Sequence, residues 1–169
     1  MKKIFLLLVI NVITHFIAPY SAKAQTQKLI DSLSNVLKKQ SPNDIAYGRT
    51  LVSLAHAAEN VDSCSVYSDR LIVCVQQQLK TNPKNVAMAE LQELLAEGYT
   101  QKATALAYQN DDKKVIEYIE KSQKIAQKYR FTNIEALNYL TLGAVMFNQG
   151  ETDNAFKYYR NALGLFTET

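Results

Sequence analysis

The chain has 169 residues, of which 47% are hydrophobic and 21% are charged. This composition is ordinary for a globular domain and excludes a disordered, collagen-like or disulfide-framework protein. The 19 basic residues exceed the 16 acidic ones, but Lys2, Lys3 and Lys23 lie within the first 24 residues, where no acid occurs. Because the remaining chain is charge-balanced, the excess indicates no basic surface for a nucleic-acid partner.

The first 24 residues have the pattern of a secretory signal peptide. A basic start is followed by an unbroken apolar run over residues 4–10, and Ala22-Lys23-Ala24 has the small-x-small form that precedes a cleavage site. An uncleaved membrane anchor is the alternative, but Asn11, Thr14 and Pro19 interrupt the apolar run before it reaches the length of a spanning helix. We therefore expect cleavage before Gln25 and a mature chain that is exported, with no membrane span, to the periplasm or outside the cell.

Export would permit a disulfide between Cys64 and Cys74. On one helix, ten residues at about 1.5 Å each separate the two by about 15 Å, whereas a disulfide needs Cα atoms within about 7 Å. We expect two unpaired, buried thiols.

From Gln25 onward the apolar spacing is helical throughout, which predicts an all-α protein. A first helix ends before Ser41-Pro42, and later helices start after Pro42, near Ser63 and at Asn82-Pro83. The β-branched run over residues 71–75 continues the helical period and is assigned to a helix. The three remaining helices start after the turn at residues 110–112, at the capping box of residues 132–135 and near residue 153. The sixth of these seven helices should stop at Gly150.

The last 34 residues, from Ala136 to Thr169, read ALNYLTLGAVMFNQGETDNAFKYYRNALGLFTET. This stretch resembles the tetratricopeptide repeat, a pair of antiparallel helices. Small Gly143, Ala155 and Ala162 would let the two helices approach closely, while Tyr139 and Tyr159 fill the space beside them.

Two fainter copies precede this repeat. In the middle copy Val115, Ile119 and Ser122 stand where Ala155, Tyr159 and Ala162 do, and the earliest copy is fainter still; together they cover residues 43–126. The resemblance implies a right-handed superhelical array of about three helix pairs, a solenoid. The expected organisation is a signal peptide over residues 1–24, an N-terminal helix over residues 25–42 and a repeat domain over residues 43–169.

The resemblance also implies a function and a surface. Arrays of this kind hold a peptide or a partner protein in a concave groove lined by the first helix of each pair. The groove residues in this chain would be Arg49, His56, Tyr108, Leu137, Leu140, Ala144, Phe147 and Asn148. Packing of Leu137, Leu140 and Phe147 against a neighbouring helix is the alternative interpretation. The cations with which some family members hold a C-terminal carboxylate are missing, since Leu137 and Thr141 occupy their positions.

Residue patterns typical of catalysis or cofactor binding are lacking. His56 is the one histidine after residue 24, so no metal-ligand spacing exists, and the five glycines are isolated from one another, so no phosphate-binding loop exists. A Cys64–His56 pair could act as a hydrolase only if the two met in space, and nothing nearby resembles a cysteine-hydrolase signature. We expect a non-enzymatic protein with no cofactor and no bound metal.

The last helix carries an apolar stripe that we expect to be covered. Phe156 and Leu163 form an apolar stripe beside the one that packs on the preceding helix, and terminal repeats normally need a polar cap. The stripe would be covered by self-association, by a partner, or by further repeats if the chain is the sensor fragment of a larger membrane signalling protein such as a histidine kinase.

Overall fold

The computed structural model describes residues 23–81 and 83–167, the side chains of residues 85 and 86 excepted. This part of the chain contains seven α-helices and no β-strand. The all-α prediction is confirmed. Helix α1 covers residues 23–37, and the others are α2 (Ile45–Ala57), α3 (Val61–Leu79), α4 (Asn85–Ala107), α5 (Asp112–Tyr129), α6 (Thr132–Asn148) and α7 (Thr152–Thr167). Most of the predicted signal peptide, residues 1–22, lies outside the described residues.

Short polar turns set the helix ends. Asn60 Oδ1 accepts a hydrogen bond of 2.7 Å from the backbone N–H of Ser63 and so caps α3, and Asp44 caps α2 in the same way. Gly150 has a φ of +80° in the turn between α6 and α7, as its predicted role requires.

The capping box predicted at the start of α6 is wrong, although a helix does begin there. The N-cap residue is Phe131, which has no side-chain cap, and Thr132 is already helical. Glu135 does not reach back to the cap, because its Oε1 accepts hydrogen bonds from Gln123 and Gln127 of α5.

Helices α2, α4 and α6 form one row, and α3, α5 and α7 pack against that row. Each helix from α2 to α7 packs against the next one along the chain, and α2, α4 and α6 also pack side by side in one row. The row is parallel: Thr100 and Thr104 of α4 face Asn138 and Thr141 of α6 in the same order. Within the described residues α3, α5 and α7 make no close backbone contact with one another.

The core follows this arrangement in two main clusters. The larger cluster contains residues of α1, α2, α3 and α4, among them the buried leucines Leu51, Leu54 and Leu71. The smaller cluster joins α4, α5 and α6 around Val115, Ile119 and Val145. The small residues predicted to allow close helix crossing are buried, with Ala155 and Ala162 at most 1% exposed. Burial of these apolar side chains is the main favourable contribution to folding.

Lys102 of α4 is a largely buried cation whose partners lie on α3. Its side chain is only 13% exposed, and its Nζ lies 2.7 Å from Asp69 Oδ2 and 2.6 Å from Ser65 Oγ, both on α3. A buried charge is tolerated when it is paired and hydrogen-bonded. Lys102 therefore joins α4 to α3 by polar contacts.

A ring of three buried polar side chains joins α4, α5 and α6. Thr100 Oγ1 donates to Asn138 Oδ1 (2.8 Å), Asn138 Nδ2 donates to Ser122 Oγ (3.0 Å), and the hydroxyls of Ser122 and Thr100 lie 2.8 Å apart. The three residues are at most 3% exposed. With Ser122 as donor to Thr100, every hydroxyl in the ring both donates and accepts, so no member is left unsatisfied.

Removal of one ring member tests its contribution. Asn138→Ala takes away the amide that contacts both hydroxyls and leaves a small cavity, so we expect the free energy of unfolding to fall by about 1–3 kcal/mol. Asn154→Ala, in an exposed position on α7, is the control and should change stability by less than about 0.5 kcal/mol. Urea denaturation of both variants measures the difference, and equal midpoints would contradict the assigned role.

The crossing of α6 and α7 gives a second test. A Cβ atom added at Gly143 would overlap the ring of Tyr159, whereas one added at Gly164 of α7 meets no atom within 4 Å. We expect Gly143→Ala to destabilise the fold by about 1–3 kcal/mol through overpacking. Gly164→Ala should be neutral or stabilising by up to about 1 kcal/mol, because alanine is the better helix former. Thermal or urea unfolding of the two matched variants decides, and a Gly143→Ala protein as stable as Gly164→Ala would show that the crossing is loose.

Candidate functional site: a cleft across the parallel helix row

An open cleft of about 430 Å³ crosses the row formed by α2, α4 and α6. This volume lies in the range of ordinary ligand-binding pockets. The lining residues come from three helices that are distant in sequence: His56, Thr100, Gln101, Thr104, Ala107, Tyr108, Leu137, Leu140, Thr141, Ala144 and Asn148.

Six of the eight residues predicted for the groove line this cleft: His56, Tyr108, Leu137, Leu140, Ala144 and Asn148. The other two do not. Arg49 forms an ion pair with Glu90 of α4, and Phe147 is 57% exposed.

The cleft has an uncharged, mostly aliphatic character near α6. Leu137, Leu140 and Ala144 lie on α6, opposite Ala107 of α4, and none of the residues that line the cleft is a lysine, an arginine or a carboxylate. Thr100 contributes little to the open surface, because it is buried and its hydroxyl is used in the polar ring. Such a surface favours apolar groups and neutral hydrogen-bonding groups over charged ones.

His56 lies at the α2 side of the cleft in a small polar cluster. Its Nε2 is 2.9 Å from Glu97 Oε1, and Nε2 of Gln101 is 3.2 Å from the same ring nitrogen. The hydrogen bond to Glu97 raises the pKa of His56 above its ordinary value, against the opposing effect of partial burial. His56 therefore carries its positive charge to higher pH than a free histidine, and Glu97 balances that charge.

A second cleft, of about 460 Å³, adjoins the first and shares His56, Gln101, Thr104 and Tyr108 with it. Its remaining lining comes from the end of α2, the turn that follows, the start of α3 and one further residue of α4: Ala55, Ala58, Glu59, Asn60, Val61, Cys64 and, on α4, Ala105. The resemblance did not predict this cleft. Gln101 was also missed, although its spacing of four residues from Glu97 and seven from Tyr108 places it on the groove face of α4.

The cysteines are unpaired as predicted, but only Cys74 is buried, since Cys64 is half-buried and lines the second cleft. Cys64 and Cys74 are both free, and burial raises the pKa of each, that of Cys74 to about 11. Cys64 and His56 line the same second cleft, but Gln101 contacts both: its Oε1 is 4.0 Å from Cys64 Sγ. The Cys64 thiol contacts Gln101 and forms no hydrogen bond with His56 among the described residues, and burial raises its pKa, so the two are not arranged as an activated nucleophile.

Two other features bear on the class of site. Among the residues that the structure describes, no cluster of three His, Cys, Asp or Glu side chains could hold a metal ion. None of the helices in this part of the chain has the length and hydropathy to span a membrane.

The ion pair of His56 gives a prediction for pH dependence. Because the pKa of His56 is raised in the folded chain, the pair stabilises the fold fully below the unfolded-state pKa of about 6.5. That stabilisation is lost as the pH rises through the folded-state pKa. Glu97→Gln should lower the pKa of His56 in an NMR titration of the ring protons, with His56→Asn to assign the signal. Glu90→Gln, which removes the neighbouring ion-pair carboxylate, should leave it nearly unchanged, and an unaltered pKa in Glu97→Gln would contradict the assignment.

Comparisons with known proteins give no independent assignment. No family model matches the chain, and neither a curated protein nor a solved structure matches it. What the clefts bind has to be argued from their own geometry and chemistry.

Proposed function

We propose that this protein is an exported, non-enzymatic interaction protein of tetratricopeptide-like architecture that binds a peptide segment of a partner in the cleft across α2, α4 and α6. One observation carries the proposal. Six residues expected to share a groove come from three separate helices and line one open cleft. Side chains that served only to pack against a neighbouring helix would be covered by that helix and would not line an open cleft.

The helix arrangement supports the proposed architecture. Helices α2, α4 and α6 lie parallel and in contact, and each is followed by a helix that packs against it. In an array of helix pairs the first helices form the inner layer in this way and the second helices the outer one. Gly143 against Tyr159 supplies the close crossing that the repeat pattern requires within its last pair.

The lining suits a peptide rather than a reacting small molecule. Leu137, Leu140 and Ala144 offer apolar contact to side chains, while Gln101 and Asn148 carry amides that can hydrogen-bond to a peptide backbone. Cys64 has a pKa raised by burial and contacts Gln101, which supports a binding surface over a thiol nucleophile.

Export is proposed from the leader pattern alone. The basic start, the apolar run over residues 4–10 and the small-x-small sequence before Gln25 are the features that direct secretion. The partner would accordingly be met in the periplasm or outside the cell.

The outer face of α7 is the rival working surface, because Phe156 and Leu163 expose 61% and 63% of their surface there. Exposed apolar side chains of this size often mark a contact with a partner or a second copy. Replacing one leucine on each surface by a charged residue distinguishes the two surfaces. Leu140 and Leu163 are suitable because both are leucines on helix surfaces.

A comparative pull-down tests the choice. We expect the wild type and Leu163→Asp to recover the same partner from an extract of the exported fraction, and Leu140→Asp to lose it, since a carboxylate would be desolvated in the cleft without a counter-charge. Circular dichroism establishes that each variant is folded. Loss with Leu163→Asp alone would move the working surface to α7, and retention by both variants would exclude the groove.

A further inference from the structure

The two adjoining clefts differ in charge, and the difference restricts what can lie along them. They share four residues, His56, Gln101, Thr104 and Tyr108, so one extended chain can pass from the aliphatic cleft into the second one. The second cleft, unlike the first, is lined by a carboxylate, that of Glu59.

The charge at the second cleft is negative and uncompensated. Glu59 is exposed and forms no ion pair with the described residues, whereas the charge of His56 is balanced by Glu97. Helix α2 also ends here, at Ala57, and the carboxyl end of a helix favours a cation.

The start of α3 lies at the same cleft and would favour an anion, but groups of the chain itself already occupy this position. Asn60 Oδ1 accepts the hydrogen bond from Ser63 N, and the carboxylate of Asp62 stands in the first turn. The potential left for a ligand is therefore set by Glu59 and the end of α2.

We infer that the segment bound by this protein carries aliphatic side chains, which lie against Leu137, Leu140 and Ala144, and next to them a cationic group, a lysine or arginine side chain, which lies beside Glu59. This inference rests on the proposed function and specifies its ligand. An acidic segment is disfavoured at both places, since the charge of His56 at the first cleft is already balanced by Glu97 and the second cleft carries a carboxylate.

Defined peptides test the inference. The probes are fluorescein-labelled, end-capped peptides that share one leucine-rich stretch and carry Lys, Gln or Glu at one end, made in two sets with the variable residue at either terminus. In fluorescence anisotropy at low salt, in one of the sets, the Lys peptide should bind about two- to fivefold more tightly than the Gln peptide, as expected of an exposed ion pair, and the Glu peptide most weakly. The preference should shrink as salt is added.

Variants of the full chain separate the two levels of the argument. Glu59→Gln should abolish the preference for the Lys peptide over the Gln peptide, and Glu59→Lys should reverse the preference. Glu120→Gln, which removes an exposed carboxylate on α5, is the control and should behave as wild type. Leu140→Asp should weaken binding of every peptide.

The possible failures differ. Binding that depends on Leu140 but is equal for the Lys, Gln and Glu peptides, or strongest for Glu, would overturn the inference and leave the groove in place. Absence of any binding that depends on Leu140 would overturn both the inference and the proposed function.

Discussion

The position of α4 against α5 and α6 depends on one buried polar contact, the ring of Thr100, Ser122 and Asn138. An unpaired hydroxyl or amide at this depth would cost about 1–3 kcal/mol, so the three helices are held at the register in which all three side chains are satisfied. Shifting α6 by one residue would turn Asn138 away from both partners. The cleft lies directly above Thr100, and its shape is therefore set by hydrogen bonds that a ligand never touches.

The same helix, α4, contacts α2 by different means. Arg49 pairs with Glu90 and His56 with Glu97, seven residues further along both helices, so the two ion pairs repeat at two helical turns and keep α2 parallel to α4. Beneath them the leucines of the larger core cluster provide the burial. The two ion pairs align α2 with α4 at the surface, and burial of the leucines supplies most of the stability of this helix contact.

Much of the fold was predictable because the decisive signals are local. Helical spacing, the proline after Ser41, the helix start near Ser63 and the glycine at residue 150 each act within a few residues, and the structure starts or ends a helix within a few residues of each. The capping box failed because Glu135 has better partners in Gln123 and Gln127 of α5, a competition that sequence spacing cannot express. Asn138 gave no signal inside an apolar helix, since its partners lie on two other helices.

The candidate site divides in the same way. Helical spacing correctly placed Leu137, Leu140 and Ala144 together in the cleft, since residues on one helix face remain together whatever the helix contacts. Arg49 lies outside because Glu90 binds it, and Glu59 was not recognised because the second cleft exists only where the ends of two helices meet the face of a third. The polar contacts on the two sides of α4 also differ in their accessibility to solvent. Salt screens the exposed pairs that align α2 and leaves the buried ring toward α6 unaffected, so changes in ionic strength act on one wall of the groove and not on the other.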